Sequence, residues 1–196
     1  MNGNCHFIFG TACVTMVALN AGADTTTTTL LITSGLIGSI FPDIDNPNSH
    51  MGKLSVPLST IICKCSSWLG KSGKEHRGIF HDIGIYIVGL VLCYFFFPQM
   101  IGFFVGAMSH LILDCFNPSG IPFLFGVRNI HLGKIPSGSK RAIVFTWVCT
   151  VLVLTCGIVL KLNYDGTPIL QSFLRGANYE DTANNINTLI QNMGSK

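Results

Sequence analysis

From Ala142 to Leu160 the chain runs nineteen residues without a charged side chain. That is close to the ~20 residues a helix needs to cross the hydrocarbon core of a bilayer. Within lipid every backbone N–H and C=O must find its partner inside the protein, so an uncharged run of this length reads as an α-helix. Four shorter apolar stretches precede it, at about Phe7–Ala23, Leu30–Phe41, Ile83–Phe97 and Met100–Phe116. Charged residues make up only 11% of the chain, too few to cover a soluble domain of this size. The expectation is an all-α protein: a polytopic membrane helical bundle of about five apolar spans.

Residues 1–161 read as one membrane-embedded domain and 162–196 as a polar tail, which either forms one short amphipathic helix near 182–193 or stays mobile. The first two stretches are short for a span. Asp24 and the five threonines Thr25–Thr29 read as a turn between them, although threonine hydroxyls bonding back to helix carbonyls could lengthen the second. The pair is a re-entrant hairpin or two thin spans, and spans are preferred. Leu54–Leu69, with Trp68, reads as an interfacial helix, Lys71–Lys74 as a loop, Pro98–Gln99 as a tight reversal, and Asn117–Arg141 as a long loop with short elements. No basic stretch precedes the first apolar segment and no small-residue cleavage site follows it, so that segment reads as a retained helix. Most of the eight cysteines lie inside apolar runs and read as small hydrophobes. No block rich in Lys or Arg suggests nucleic-acid binding.

Against this apolar background, seven metal-type side chains fall in four short clusters at the ends of apolar segments. They are His6; Asp43 and Asp45; His76 and His81; and His110 with Asp114. Ionisable groups are costly near a bilayer, so their presence there points to function. If the spans alternate in direction, all seven arrive at one membrane face. Nine of the twelve Lys and Arg fall on that face too, including Lys53, Arg77, Arg128, Lys134, Lys140 and Arg141. The positive-inside rule then makes it the cytoplasmic face.

The spacings suggest how each cluster works. His110 and Asp114, four apart, differ by about 40° around a helix and can serve one ion from one face. Asp43 and Asp45, between Pro42 and Pro47, would point the same way if the segment is extended, and two carboxylates that close call for a cation. His76 and His81 are five apart and do not share a helical face, so Gly78 must let the backbone bring them together. Arg77 between them suits a phosphate or carboxylate through its planar fork. His6 gains its interest only from its position. His50 and His131 lack partners at diagnostic spacing. Nitrogen and oxygen donors without thiolate fit a divalent metal, Zn or Mn, as one or two ions. Arg77, Lys53 and Lys140 would hold an anionic group, and Asp45 or Asp114 could be a general base in place of a ligand.

These elements together resemble the YdjM-like family, described as LexA-regulated membrane-bound metal-dependent hydrolases. The matching residues are His6, Pro42-Asp43-Ile44-Asp45 with Pro47, Ser49 and Gly52, His76-Arg77-Gly78 with His81, Ser109-His110 with Asp114, and Gly120, over about Met1–Leu160. The resemblance implies a multi-pass protein of the bacterial inner membrane and a metal-dependent hydrolase. Separately, a metal cluster beside basic residues at a membrane face suits a phosphoester substrate, lipid or lipid-linked. Ser137-Gly138-Ser139 is similar to a Thr-Gly-Ser segment of the family, but Ala142 stands where a glutamate is common and Asp82 where Ser is commoner. Two other functions compete: a metal transporter or sensor would hold its ligands near mid-bilayer, and a non-enzymatic scaffold would enclose a structural metal completely.

Overall fold

The computed structural model describes residues 2–46, 49–54, 57, 60–61, 79–96, 100–123 and 128–164. Helix α1 (Gly3–Ala21) ends where Gly22 turns left-handed, at φ 64°, and its N–H reaches back to the Ala18 and Leu19 carbonyls. Helix α2 (Thr25–Ile40) starts at once, because the Asp24 side chain accepts from the Thr27 N–H at 3.0 Å and caps it. The threonine run is therefore helix and not a turn. Two of its hydroxyls bond back to main-chain carbonyls: Thr29 Oγ1 donates to that of Thr25 at 2.8 Å and Thr28 Oγ1 to that of Ala23 at 3.3 Å.

Pro42 then tightens the chain into a 3₁₀ turn, Phe41–Asp45. The short helix α3 (His50–Leu54) follows, capped by Ser49, whose hydroxyl accepts from the Gly52 N–H at 2.8 Å. A second 3₁₀ turn, Ile79–His81, leads into α4 (Ile83–Phe96), and the Asp82 carboxylate accepts from the Gly84 N–H at 2.8 Å at its start. Helix α5 (Ile101–Asp114) runs back and is followed by a two-stranded antiparallel ribbon, β1 (Ile121–Phe123) and β2 (Arg128–Ile130), with Ile121 opposite Ile130. The next loop is pinned to the end of α5 by Leu132 N–H to Cys115 O at 2.7 Å and Ile135 N–H to Phe116 O at 2.9 Å. Helix α6 (Lys140–Tyr164) closes the described chain.

The protein is mostly helical. Among the described residues, three helical segments can cross a membrane by length and composition: Gly3–Ala21, Thr25–Ile44 and Lys140–Leu162. The expectation of about five apolar spans is met here only in part. Helices α4 and α5 have 14 residues each, about 21 Å at the ordinary helical rise, and fall short of a ~30 Å core. The interfacial helix beyond residue 61, the 71–74 loop, the reversal at 98–99 and the tail from residue 165 lie outside the described residues.

Helix α5 lies at the centre, packed against α1, α2 and α4. Glycine permits its close approach to α2: a methyl group on Gly106 would run into the Gly35 carbonyl, and one on Gly38 into that of Phe103. By contrast α4 and α6 turn large apolar side chains outward, among them Val91, Phe95 and Phe96, and Val144, Trp147 and Val151. So much outward apolar surface on helices of this length is surface that lipid covers.

Candidate metal centre

The bundle brings one end of each inner helix to a common point. His6 comes from the first turns of α1, Asp43 from the 3₁₀ turn after α2, His81 from the turn before α4, and His110 and Asp114 from the last turn of α5. His6, His81 and His110 are at most 1% exposed and Asp114 is 3% exposed. The Asp43 side chain is the more open one, at 23%. The i, i+4 spacing of His110 and Asp114 puts both side chains on one helical face, with Nε2 and Oδ2 3.9 Å apart.

Two overlapping triads result, His6–His110–Asp114 and Asp43–His81–His110, each with its donor atoms within 4.8 Å of one another. Around Asp43 Oδ1 lie His81 Nε2 at 3.5 Å and His110 Nε2 at 3.8 Å; Asp114 Oδ2 is 3.9 Å from each of the same two nitrogens. Donors held about 2.0–2.2 Å from one tetrahedral ion lie about 3.3–3.6 Å apart, so the spacing suits a small divalent cation after slight contraction. On the other side His6 Nε2 is 3.4 Å from Asp114 Oδ1, and the His6 ring stacks on that of His110 with centroids 3.6 Å apart.

The tautomer of His110 follows from its surroundings. Its Nδ1 lies 2.7 Å from the Ser39 carbonyl, which can only accept, so Nδ1 carries the proton and Nε2 offers a lone pair to the cluster. That carbonyl is available because of Pro42. Where α2 tightens, the Phe41 N–H bonds to the Gly38 carbonyl; in the same register Ser39 would be met by residue 42, and proline has no N–H. His110 Nε2 itself is buried and has no hydrogen-bond partner among the described residues. A buried acceptor of this kind, beside two carboxylates, fits a metal ion. One divalent cation would balance the charges of Asp43 and Asp114.

The remaining sequence-predicted residues divide. Asp45 belongs to the 3₁₀ turn, so the backbone is not extended, and the geometry that would have aimed it with Asp43 does not hold; its side chain lies outside the described atoms. His76 and Arg77 lie outside the described residues. Lys53 and Lys140 are exposed, at the end of α3 and the start of α6. Asp82 is accounted for in part as the cap of α4. Three residues support the cluster, of which Ser39 and Asn117 were missed in the sequence and Ser49 was noted there only as a matching residue. Ser39 orients His110, Ser49 Oγ donates to the Asp43 carbonyl at 2.7 Å, and Asn117 Nδ2 donates to Asp114 Oδ1 at 2.6 Å. Ser39 acts through its backbone, which leaves no sequence signal. Asn117 stands three residues after Asp114, a spacing from which it could have been suspected.

Residues 1–165 match the family described as YdjM inner membrane protein. The chain belongs to this family. It is similar to the uncharacterized protein YvsG of Bacillus subtilis, 30% identical over 128 residues that cover 64% of this chain and 73% of that one. It is also similar to the inner membrane protein YdjM of Escherichia coli, 26% identical over 106 residues, half of either chain. A third relative, the uncharacterized protein ORF4 of Methanothermobacter thermautotrophicus, is 29% identical over 62% of this chain and 55% of its own length. No solved structure matches. The family and the apolar helices together give a membrane location, and the buried His/Asp groups could hold a metal ion.

Proposed function

We propose that the chain is a membrane-bound metal-dependent hydrolase of a phosphoester, on a lipid or lipid-linked substrate, at the cytoplasmic face of the bacterial inner membrane. The observation that carries this reading is the buried pair of triads around His110, whose outer ring nitrogen is locked onto the Ser39 carbonyl. His6, Asp43, His81, His110 and Asp114 would hold the ion, with Asp45 and His76 joining from their neighbouring segments. Zn or Mn suits this nitrogen and oxygen set. Such an ion acts as a Lewis acid, polarising a phosphoryl oxygen and lowering the pKa of water.

The chain's own residues supply the rest. Asp43, the more open member, marks the side from which substrate and water reach the cluster. Arg77, Lys53 and Lys140 would hold the anionic group, the arginine by its bidentate fork. Burial of Asp114 between His6 and Asn117 suits a fixed ligand better than a mobile general base. The positive-inside rule, applied to the nine Lys and Arg that alternating spans would carry to the cluster end, supports a cytoplasmic site, and α4 and α5, though short, would complete a five-pass zigzag that returns every ligand to that end.

The competing functions meet specific objections. A transporter needs ligands near mid-bilayer, and these sit at helix ends. A purely structural metal would be enclosed on all sides, and Asp43 keeps the cluster open on one. Elemental analysis of purified protein, followed by a panel of phospholipid and isoprenoid phosphate esters, tests the proposal. A bound transition metal and hydrolysis of at least one ester are expected; metal-free protein that is inactive after loading with Zn or Mn would refute it.

A further inference from the structure

We propose that Asn117 is a positioning residue of the metal centre: its amide holds Asp114 Oδ1, and so assigns Oδ2 to the ion shared by Asp43, His81 and His110. The inference rests on the metal-binding part of the reading above and not on hydrolysis. Asn117 sits in the turn that ends α5. Its N–H donates to the Asp114 carbonyl at 3.1 Å, and its own carbonyl accepts from the Gly120 N–H at 3.0 Å. Pro118 suits the second position of such a turn, and Gly120 takes φ 65°, which only glycine adopts without strain. The backbone of Asn117 is thus fixed on both sides.

Asn is common at the first position of a turn, where its side chain ordinarily faces water or its own backbone. Here it is 1% exposed and turned onto a buried carboxylate. The identity of the amide atoms follows from that contact, since a carboxylate oxygen accepts only from the NH₂ group. The amide oxygen of Asn117 is left buried with no hydrogen-bond partner among the described residues. A turn residue alone would not bear that arrangement. One that fixes a ligand carboxylate gains from it.

The consequence concerns the two oxygens of Asp114. Oδ1 faces His6 at 3.4 Å and accepts the Asn117 amide; Oδ2 faces His81 and His110 at 3.9 Å each. Asn117 occupies one lone pair of Oδ1 and stops the carboxylate rotating about its Cβ–Cγ bond. Asp114 then presents Oδ2 as a single donor, completing a four-donor set with Asp43 Oδ1 and the two imidazoles. Without the amide, the carboxylate can turn to offer both oxygens to one ion.

Full-length protein in detergent, stripped with a chelator, would be titrated with Zn2+ against a chelating indicator and separately with Co2+ followed by visible absorption. Asn117→Ala should bind Zn2+ about 10–100-fold more weakly and give displaced, weaker Co2+ bands as the coordination number rises. Asn117→Ser, which keeps a hydroxyl donor at a turn position that suits it, should recover part of the affinity and the wild-type band positions. Alanine protein that binds Zn2+ within about twofold of wild type, with unchanged Co2+ bands, overturns the assignment. If the alanine protein is not monodisperse, the serine protein decides: bands at the wild-type positions support a donor role, and displaced bands overturn it. Wild-type protein that takes up neither ion overturns this inference together with the metal reading, whereas a metal-binding wild type with indifferent variants overturns this inference alone.

Discussion

Helices α5 and α6 show two ways for an apolar sequence to be used. Helix α6 is the longest, yet it points Val144, Trp147, Val148, Val151 and Leu152 outward and gives the described cluster no ligand. Helix α5 is 14 residues long and too short for an ordinary span, but Ile101, Gly106, Ala107, His110, Leu111, Leu113 and Asp114 are all buried in it. Length and hydropathy identify the helix that faces lipid. Small residues and ionisable ones, in a helix packed on several sides, identify the helix that carries the candidate cluster. A polar side chain at the centre of a bundle must be satisfied there, and that requirement forces the neighbours into place.

The contrast can be broken most severely at His110 and Asp114. Replacing either with Ala should cost more than the about 10–100-fold in metal affinity expected from losing a supporting residue, measured by elemental analysis and indicator titration. If metal content stays at the wild-type level, α5 is merely a packed helix. Next in size is Gly106→Leu. A side chain there meets the Gly35 carbonyl, so a loss of about 1–3 kcal/mol or more is expected in detergent thermal unfolding, with metal retention falling alongside it.

A subtler variant is Pro42→Ala. It supplies an N–H that can compete with His110 for the Ser39 carbonyl, so the imidazole should lose its single tautomer; nitrogen-15 NMR of labelled histidine reads this directly. An unchanged tautomer would show that the proline does not free the carbonyl. At the end of the bundle away from the cluster, Asp24→Ala removes the cap of α2 and should cost about 1 kcal/mol with metal binding intact. The hydrogen bond from Thr27 holds the Asp24 carboxyl below its usual range. Its contribution is therefore present above the ordinary carboxyl pKa and lost as pH falls through the lowered value. Denaturation followed against pH, with Asp24→Ala as the reference, should show the two proteins converge in acid. The smallest effect belongs to α6: Val151→Ala, outward on the lipid side, should move stability by no more than about 0.5 kcal/mol and leave metal uptake unchanged.

Much of the site was legible before any coordinates. His6, Asp43, His81, His110 and Asp114 could be gathered from the ends of apolar stretches, because alternating helices must return to the same side and because buried charge is too costly to be incidental. The local backbone was less legible. Asp43-Ile44-Asp45 between prolines suited an extended segment equally well, and the 3₁₀ turn prevailed because it continues directly from α2. The threonine run suited a turn, yet Asp24 capped it into helix.

Apolar run length and the placement of a few histidines and aspartates were enough, from sequence alone, to specify a helical membrane protein with a His/Asp cluster at one end. Lipid admits few backbone forms and penalises stray charge, so composition carries that information. Which atoms meet was decided only by tertiary packing. The glycine contacts of α2 and α5 set how near Ser39 comes to His110, and the turn after α5 set which oxygen of Asp114 Asn117 holds. Such contacts run through backbone carbonyls and distances of a few ångströms between segments far apart in the chain, and no local pattern of residues records them.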